Sequence, residues 1–181
     1  MENKELREMY EDFCNLNNRT IEDKNRKGIM PVCVIIEENG KESIIGFQFS
    51  NYEEKRMARE FLFKTLLEKK IAGYILIQDA KMTMMDKKTG KTEVSDVVMR
   101  SLFSKNNLKI KEVVTYDDKQ RKIIKTMKLL DSEKKDGDVE KVVDEWDLYG
   151  EWFDEENPEH RKIQEDYSKY KKGHKEEYGG I

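Results

Sequence analysis

The fold is decided by residues 31–79, which read PVCVIIEENGKESIIGFQFSNYEEKRMAREFLFKTLLEKKIAGYILIQD. Residues 32–36 are apolar and mostly β-branched, which is the composition of a strand buried on both faces. Asn39-Gly40 is a strong hairpin signal, because a type I′ turn needs positive φ at both central positions. Apolar side chains then alternate along 43–49. We therefore predict a β-hairpin whose strands are joined by a type I′ turn.

The second half of this stretch predicts a helix followed by a third strand. Ser50 and Glu53 match the capping-box pattern with which a helix begins. Apolar residues then recur at helical spacing as far as Gly73, a residue type that commonly follows a helix C-terminus. Residues 74–79 form the third apolar strand, and the alternation that follows would extend it toward Asp86.

Outside this stretch, and before the C-terminal arm, the sequence predicts one element before it and three after it. Apolar spacing favours a helix over 3–16. Residues 94–104 are compatible with a short helix or a strand, and we prefer the helix. Residues 108–116 and 122–130 predict two strands joined by a polar turn. The expected fold is α+β, with a mixed or mostly antiparallel sheet of about five strands and helices on one face.

The net charge of −3 conceals an uneven distribution along the chain. Residues 1–130 carry 26 basic against 21 acidic residues, whereas 131–157 carry 3 against 12. Such a split indicates segments with different roles. We therefore divide the chain into an N-terminal helix and loop over 1–30, an α+β core domain over 31–130 and an acidic helical C-terminal arm over 131–181.

The acidic arm carries an apolar stripe that is too rich for a purely solvated helix. The candidate partner-binding residues are its aromatic anchors, Trp146, Tyr149, Trp152 and Phe153. Three interpretations stay open. The arm docks on the basic body of its own chain, it binds another protein or a second copy of this chain, or its acidic face mimics DNA.

Basic residues cluster in the last predicted hairpin, over 105–128. The candidate nucleic-acid-binding residues are Lys109, Lys111, Arg121, Lys122, Lys125 and Lys128. Lysine and arginine side chains on one sheet face can follow a phosphate backbone. A solvated charged face explains the same cluster. Asp79 and Lys81 have the spacing of the carboxylate and the lysine in a nuclease strand. On that interpretation the protein would be a metal-dependent nucleic-acid-processing enzyme.

Residues able to build a catalytic, metal or nucleotide site are scarce. His160 and His174 are the only histidines, and neither Cys14 nor Cys33 has the spacing of a zinc site. The glycines match no phosphate-binding loop. We therefore expect no catalytic residues, no metal site and no cofactor.

The N-terminal sequence MENKELREMYEDF has no apolar core of the kind found in secretory signals. No apolar run approaches the roughly 20 residues that a bilayer requires. We expect a soluble, cytoplasmic protein with no membrane partner.

Parts of residues 31–130 resemble a group of small uncharacterised prokaryotic and phage proteins. The resemblance rests on Pro31-Val32 leading into an apolar strand, on Phe47-x-Phe49, and on NYEEK from Asn51 opening a helix. The strand YILIQDA usually ends in this group with a Thr-Glu-Ala-Trp-like sequence, and here it ends with Gln78-Asp79-Ala80-Lys81. The resemblance implies a small α+β domain of phage association, and it supplies no catalytic residues.

These observations predict a non-enzymatic protein-interaction protein, phage-encoded in line with the resemblance, that acts through its acidic arm. Its partner would be another protein or a second copy of the chain. If phage-encoded, it would work in the cytoplasm of a prokaryotic host. Two alternatives remain: a nucleic-acid-binding or metal-dependent nucleic-acid-processing protein that uses the basic hairpin, and a virion component.

Overall fold

The computed structural model describes residues 1–26, 28–46, 51–68, 70–85 and 88–133. The elements follow the order α1, Asn3–Glu22; β1, Val32–Glu37; β2, Glu42–Gly46; α2, Tyr52–Glu68; β3, Ile71–Met85; β4, Thr92–Ser104; β5, Lys109–Asp117; and β6, Lys122–Asp131. The chain divides into two compact units. Helix α1 and these six strands belong to the first unit, and α2 belongs to the second.

The strands of the first unit form one antiparallel sheet in the order β2-β1-β3-β4-β5-β6. The predicted α+β class is therefore confirmed, with six strands where about five were expected. Within the described residues, β2 and β6 are the two edges of this sheet.

The strand β4 corrects the preferred helix over 94–104. This segment pairs with β3 along its whole length, and Val98 and Leu102 are both completely buried. A spacing of four residues places two side chains on one face of a helix and equally on one face of a strand. The second half of β4 is buried on both faces, so the alternation that marks a half-exposed strand is missing.

The predicted hairpin is present, but its turn is not type I′. Gly40 has a φ of 84°, whereas Asn39 is not among the described residues with positive φ. The Gly40 N–H donates to the Glu37 carbonyl, and the Glu37 N–H donates to the Lys41 carbonyl, each at 2.9 Å. These bonds define a three-residue loop that ends in a glycine bulge, a turn in which only the glycine needs positive φ.

The start of helix α2 and the position of Gly73 differ from the prediction. The Asn51 side chain accepts the Glu54 N–H at 2.9 Å, so Asn51 rather than Ser50 is the N-cap of α2. Gly73 lies inside β3, opposite Ser104, and does not end the helix. A side chain at Gly73 would place its Cβ 2.8 Å from the Phe103 carbonyl oxygen. This glycine is required for close strand packing.

Helix α1 packs on one face of the sheet and continues beyond the predicted residue 16 to Glu22. Its Leu6 and Ile21 side chains are completely buried, so apolar contact extends along the helix to its last turn. The sheet contributes Val34, Ile36, Ile75, Ile77, Val98, Leu102, Ile110, Val114 and Tyr116 to the same core. Full burial of each large aliphatic side chain stabilises the fold by about 1.5–3 kcal/mol.

Candidate functional site

Arg100 of β4 is the largest fully buried side chain among the described residues. Its Nε donates to Asn17 Oδ1 at 2.8 Å, and its Nη1 donates to Glu112 Oε1 at 3.1 Å. Its Nη2 donates to the Asn18 side chain. A buried charge is tolerated when it is paired and hydrogen-bonded, and one carboxylate and two amides do this for Arg100.

A polar cleft of about 310 Å³ lies beside this network, between α1 and the strands β4 to β6. Burial raises the pKa of the Cys14 thiol to about 12, so the thiol is protonated at neutral pH. Burial also raises the pKa of Tyr10, whose hydroxyl donates to the Arg100 carbonyl at 3.4 Å. A protonated thiol and a protonated phenol are poor nucleophiles. The side chains of the cleft therefore contribute to the structure of the polar interior, and neither Cys14 nor Tyr10 is activated as a nucleophile.

Two further guanidinium groups hold α1 at its ends. Near the start, Arg7 makes a two-pronged ion pair with Asp131, with N–O distances of 2.8 and 2.9 Å, and Nη2 also donates to Glu133 at 2.8 Å. The hydrogen bond from Arg7 lowers the pKa of Asp131. At the other end, Arg121 Nη2 donates to the Thr20 carbonyl at 2.7 Å. A cation at the last turn satisfies a free carbonyl and suits the helix dipole.

The six predicted nucleic-acid-binding cations do not share one face of the sheet. The strand register places Lys109, Lys111, Lys122 and Lys125 on the face opposite α1, because partners across a ladder point the same way. Lys128 pairs with Glu112 on the α1 face, and Arg121 is buried as the cap of α1. Lys111 is also buried. The exposed positive charge of the hairpin is therefore smaller than the sequence indicated.

The predicted Asp79 and Lys81 pair also has a different setting. Asp79 Oδ1 accepts the Tyr116 hydroxyl at 3.0 Å, and burial is the main cause of its raised pKa. Lys81 is exposed. Within the described ranges there is no group of three or more His, Cys, Asp or Glu residues placed to hold a metal ion. Asp79 therefore acts as an acceptor for a core tyrosine.

An apolar groove of about 510 Å³ lies at the β2 end of the sheet, on the α1 face. It is lined by Phe13, Leu16, Asn17, Thr20, Arg26, Gly28, Ile29, Met30, Val32, Val34, Ile44 and Ile77. Three of these side chains are largely exposed: Leu16 by 56%, Met30 by 69% and Ile44 by 64%. The sequence did carry a signal for this groove, because Ile44 is an apolar residue on the strand face opposite Ile45.

The two edges of the sheet differ in their protection against pairing with other chains. Strand β6 carries Lys122, Lys125 and Lys128, and its pairing with β5 is interrupted by two register shifts. Edge lysines and bulges both discourage a further strand. Strand β2 has one charged residue, Glu42, and pairs with β1 without a register shift. The groove therefore adjoins the less protected edge.

The four predicted anchors, Trp146, Tyr149, Trp152 and Phe153, lie outside the described residues, as does the sequence from 134 onward. No helix in the described part of the chain is both long and apolar enough to cross a membrane. Comparison with family models, with curated proteins and with solved structures finds no match. The resemblance to small prokaryotic and phage proteins therefore stays a prediction.

Proposed function

We propose that this chain is a non-enzymatic protein-interaction protein, which binds through the apolar groove and the adjoining β2 edge and also through its acidic arm. One observation carries the proposal: Leu16, Met30 and Ile44 are three large, exposed apolar side chains around a single groove. Contiguous apolar surface on a folded protein typically marks an interaction site.

The groove and the edge together suit an extended segment of another polypeptide. A strand added to β2 would form backbone hydrogen bonds, and its side chains on the α1 face would enter the groove. The groove volume of about 510 Å³ is similar to that of pockets that bind small molecules, so the groove is large enough to take side chains of a bound segment. Val32 and Val34 of β1 and Phe13 of α1 form part of an apolar lining for such side chains.

The acidic arm is proposed to add affinity through Trp146, Tyr149, Trp152 and Phe153. Large aromatic side chains supply most of the energy in many interfaces. The excess of acidic residues over 131–157 would then select a partner with a basic surface, since complementary charge accelerates and directs association. The phage origin remains part of this proposal and rests on the sequence resemblance, and the cytoplasmic location remains a prediction.

The proposal is tested by capturing partners on the tagged full chain and comparing surface variants. Leu16→Glu and Met30→Glu place a charge in the groove at exposed positions. Val94→Glu and Ile124→Glu are matched controls, because these residues are exposed by 62% and 65% and do not line the groove. We expect the groove variants to reduce the amount of a specific partner at least tenfold, while the controls retain it.

A double variant in the arm separates the contribution of the arm from that of the groove. Trp146→Ala combined with Trp152→Ala should weaken capture while the fold of the first unit is unchanged, as judged by thermal unfolding. Capture that is insensitive to both the groove variants and the arm variants would overturn the proposed function.

A further inference from the structure

We propose that the β2 edge pairs with the β2 edge of a second copy of this chain, antiparallel and centred on Ile44. This inference rests on the proposed function and names the partner of the same surface. It would join two six-stranded sheets into one and bring the two apolar grooves together on one face.

The backbone of β2 is oriented for such pairing. In an antiparallel ladder the N–H and C=O of one residue point to the same side, and that side alternates along the strand. The bond from the Glu37 N–H to the Lys41 carbonyl fixes this alternation, and no register shift follows it. The backbone groups of Glu42, Ile44 and Gly46 therefore point away from β1. Each could bond to a strand on the outer side.

The side chains of β2 are compatible with their own reversed copy. Centring on Ile44 places it opposite the partner's Ile44, and it places Glu42 opposite the partner's Gly46. No like charges meet across this ladder, and directly opposed like charges would weaken it. The space beside Gly46 on this face is filled by the Met30 methyl group, which lies 2.5 Å from the position that a Cβ would occupy, so the apolar surface continues up to this end of β2.

The exposure of Ile44 in the single chain gives a reason for pairing on this face, because pairing would bury its side chain. Its side chain is on the α1 face, opposite the completely buried Val34 of β1, yet it is 64% exposed. The partner's Ile44 would cover it, and Leu16 and Met30 of each copy would extend the apolar contact. The same construction is disfavoured at β6, which carries Lys122, Lys125 and Lys128 and whose ladder with β5 is interrupted by two register shifts.

The test is sedimentation equilibrium of the full chain over a range of concentrations. We expect a reversible dimer. Ile44→Asp and Ile44→Lys each oppose like charges across the two-fold axis and should raise the dissociation constant at least tenfold. An equimolar mixture of the two variants should restore the dimer, because Asp and Lys then face each other. Ile124→Asp and Ile124→Lys, at an equally exposed position on β6, should leave the dimer unchanged.

The mixture also controls for misfolding, since variants that had lost their fold would not recover on mixing. A chain that stays monomeric at every concentration, or a dimer that the Ile44 variants do not weaken, would overturn self-pairing. A dimer that each variant weakens but the mixture does not restore would overturn the register centred on Ile44. If self-pairing fails while groove variants still abolish capture of another protein, the proposed function stands with a different partner. If both tests fail, both proposals are wrong.

Discussion

At the scale of single residues, the most consequential side chain is one that the sequence did not single out. Arg100 lies in the segment 94–104, whose apolar spacing predicts a helix and gives no role to this arginine. Its partners Asn17 and Asn18 are 83 and 82 residues away in sequence, and Glu112 is 12 residues away. A single sequence gives no sign of such distant contacts. The burial of Arg100 becomes apparent only once α1 lies across the sheet.

Removing Arg100 should be costly because the buried Glu112 carboxylate loses its ion-pair partner. We expect Arg100→Met to lower the free energy of unfolding by about 3 kcal/mol, measured by urea denaturation. Lys105→Met is the control, since Lys105 and Glu38 form an ion pair whose side chains are 55% and 42% exposed. Exposed pairs of this kind contribute at most about 1 kcal/mol. Equal losses in the two variants would contradict the structural role given to Arg100.

The pair of Arg7 and Asp131 predicts a dependence of stability on pH. Arg7 lowers the pKa of Asp131 in the folded state, so this carboxylate stabilises the fold above its ordinary pKa. That stabilisation is lost as the pH falls through the lowered pKa. Asp131→Asn should therefore flatten the decline in stability below about pH 4, the region where an unperturbed aspartate titrates. Arg7→Gln should flatten the same decline, and an unchanged slope in both variants would refute this assignment.

At the scale of elements, local sequence patterns predicted those features that local interactions determine. The Asn39-Gly40 turn predicted the hairpin, and the alternation after it predicted the paired strand. Two outcomes depended on context beyond the segment. Val98 and Leu102 satisfy helical and strand spacing alike, so only pairing with β3 decides between them. The turn type was wrong because the same dipeptide suits a three-residue loop with a glycine bulge.

Gly73 offers a test at this scale, because its two interpretations differ in cost. At a left-handed position after a helix end, replacement by alanine would cost roughly 1–2 kcal/mol. In the strand, the new Cβ would lie 2.8 Å from the Phe103 carbonyl oxygen. Because this oxygen belongs to the backbone, the neighbouring strands would have to shift apart. We expect Gly73→Ala to lower the free energy of unfolding by about 2–3 kcal/mol. Gly90→Ala is the control, since its Cβ would meet nothing within 4 Å and only its φ of 66° is unfavourable.

At the scale of the whole molecule, the two edges of the sheet have opposite character. The β6 edge is charged and irregular, whereas the β2 edge is regular and adjoins exposed apolar side chains. The charge asymmetry of the sequence predicts interaction through the basic hairpin and the acidic arm. The fold uses part of that basic charge internally, since Arg121 caps α1 and Lys111 is buried. The sequence indicated this groove only through the apolar Ile44 on the second face of β2, because the groove itself depends on how α1 and β2 are placed.

Hydrogen–deuterium exchange tests most directly whether the β2 end of the sheet is the binding surface. The full chain would be compared free and in the assembly that it forms, with itself or with a captured protein. We predict slower exchange on assembly over 42–46, where the amides of Ile44 and Gly46 face outward. We predict no change over 122–128 on the opposite edge. Slower exchange confined to 122–128, or unchanged exchange over 42–46, would contradict binding at the β2 end.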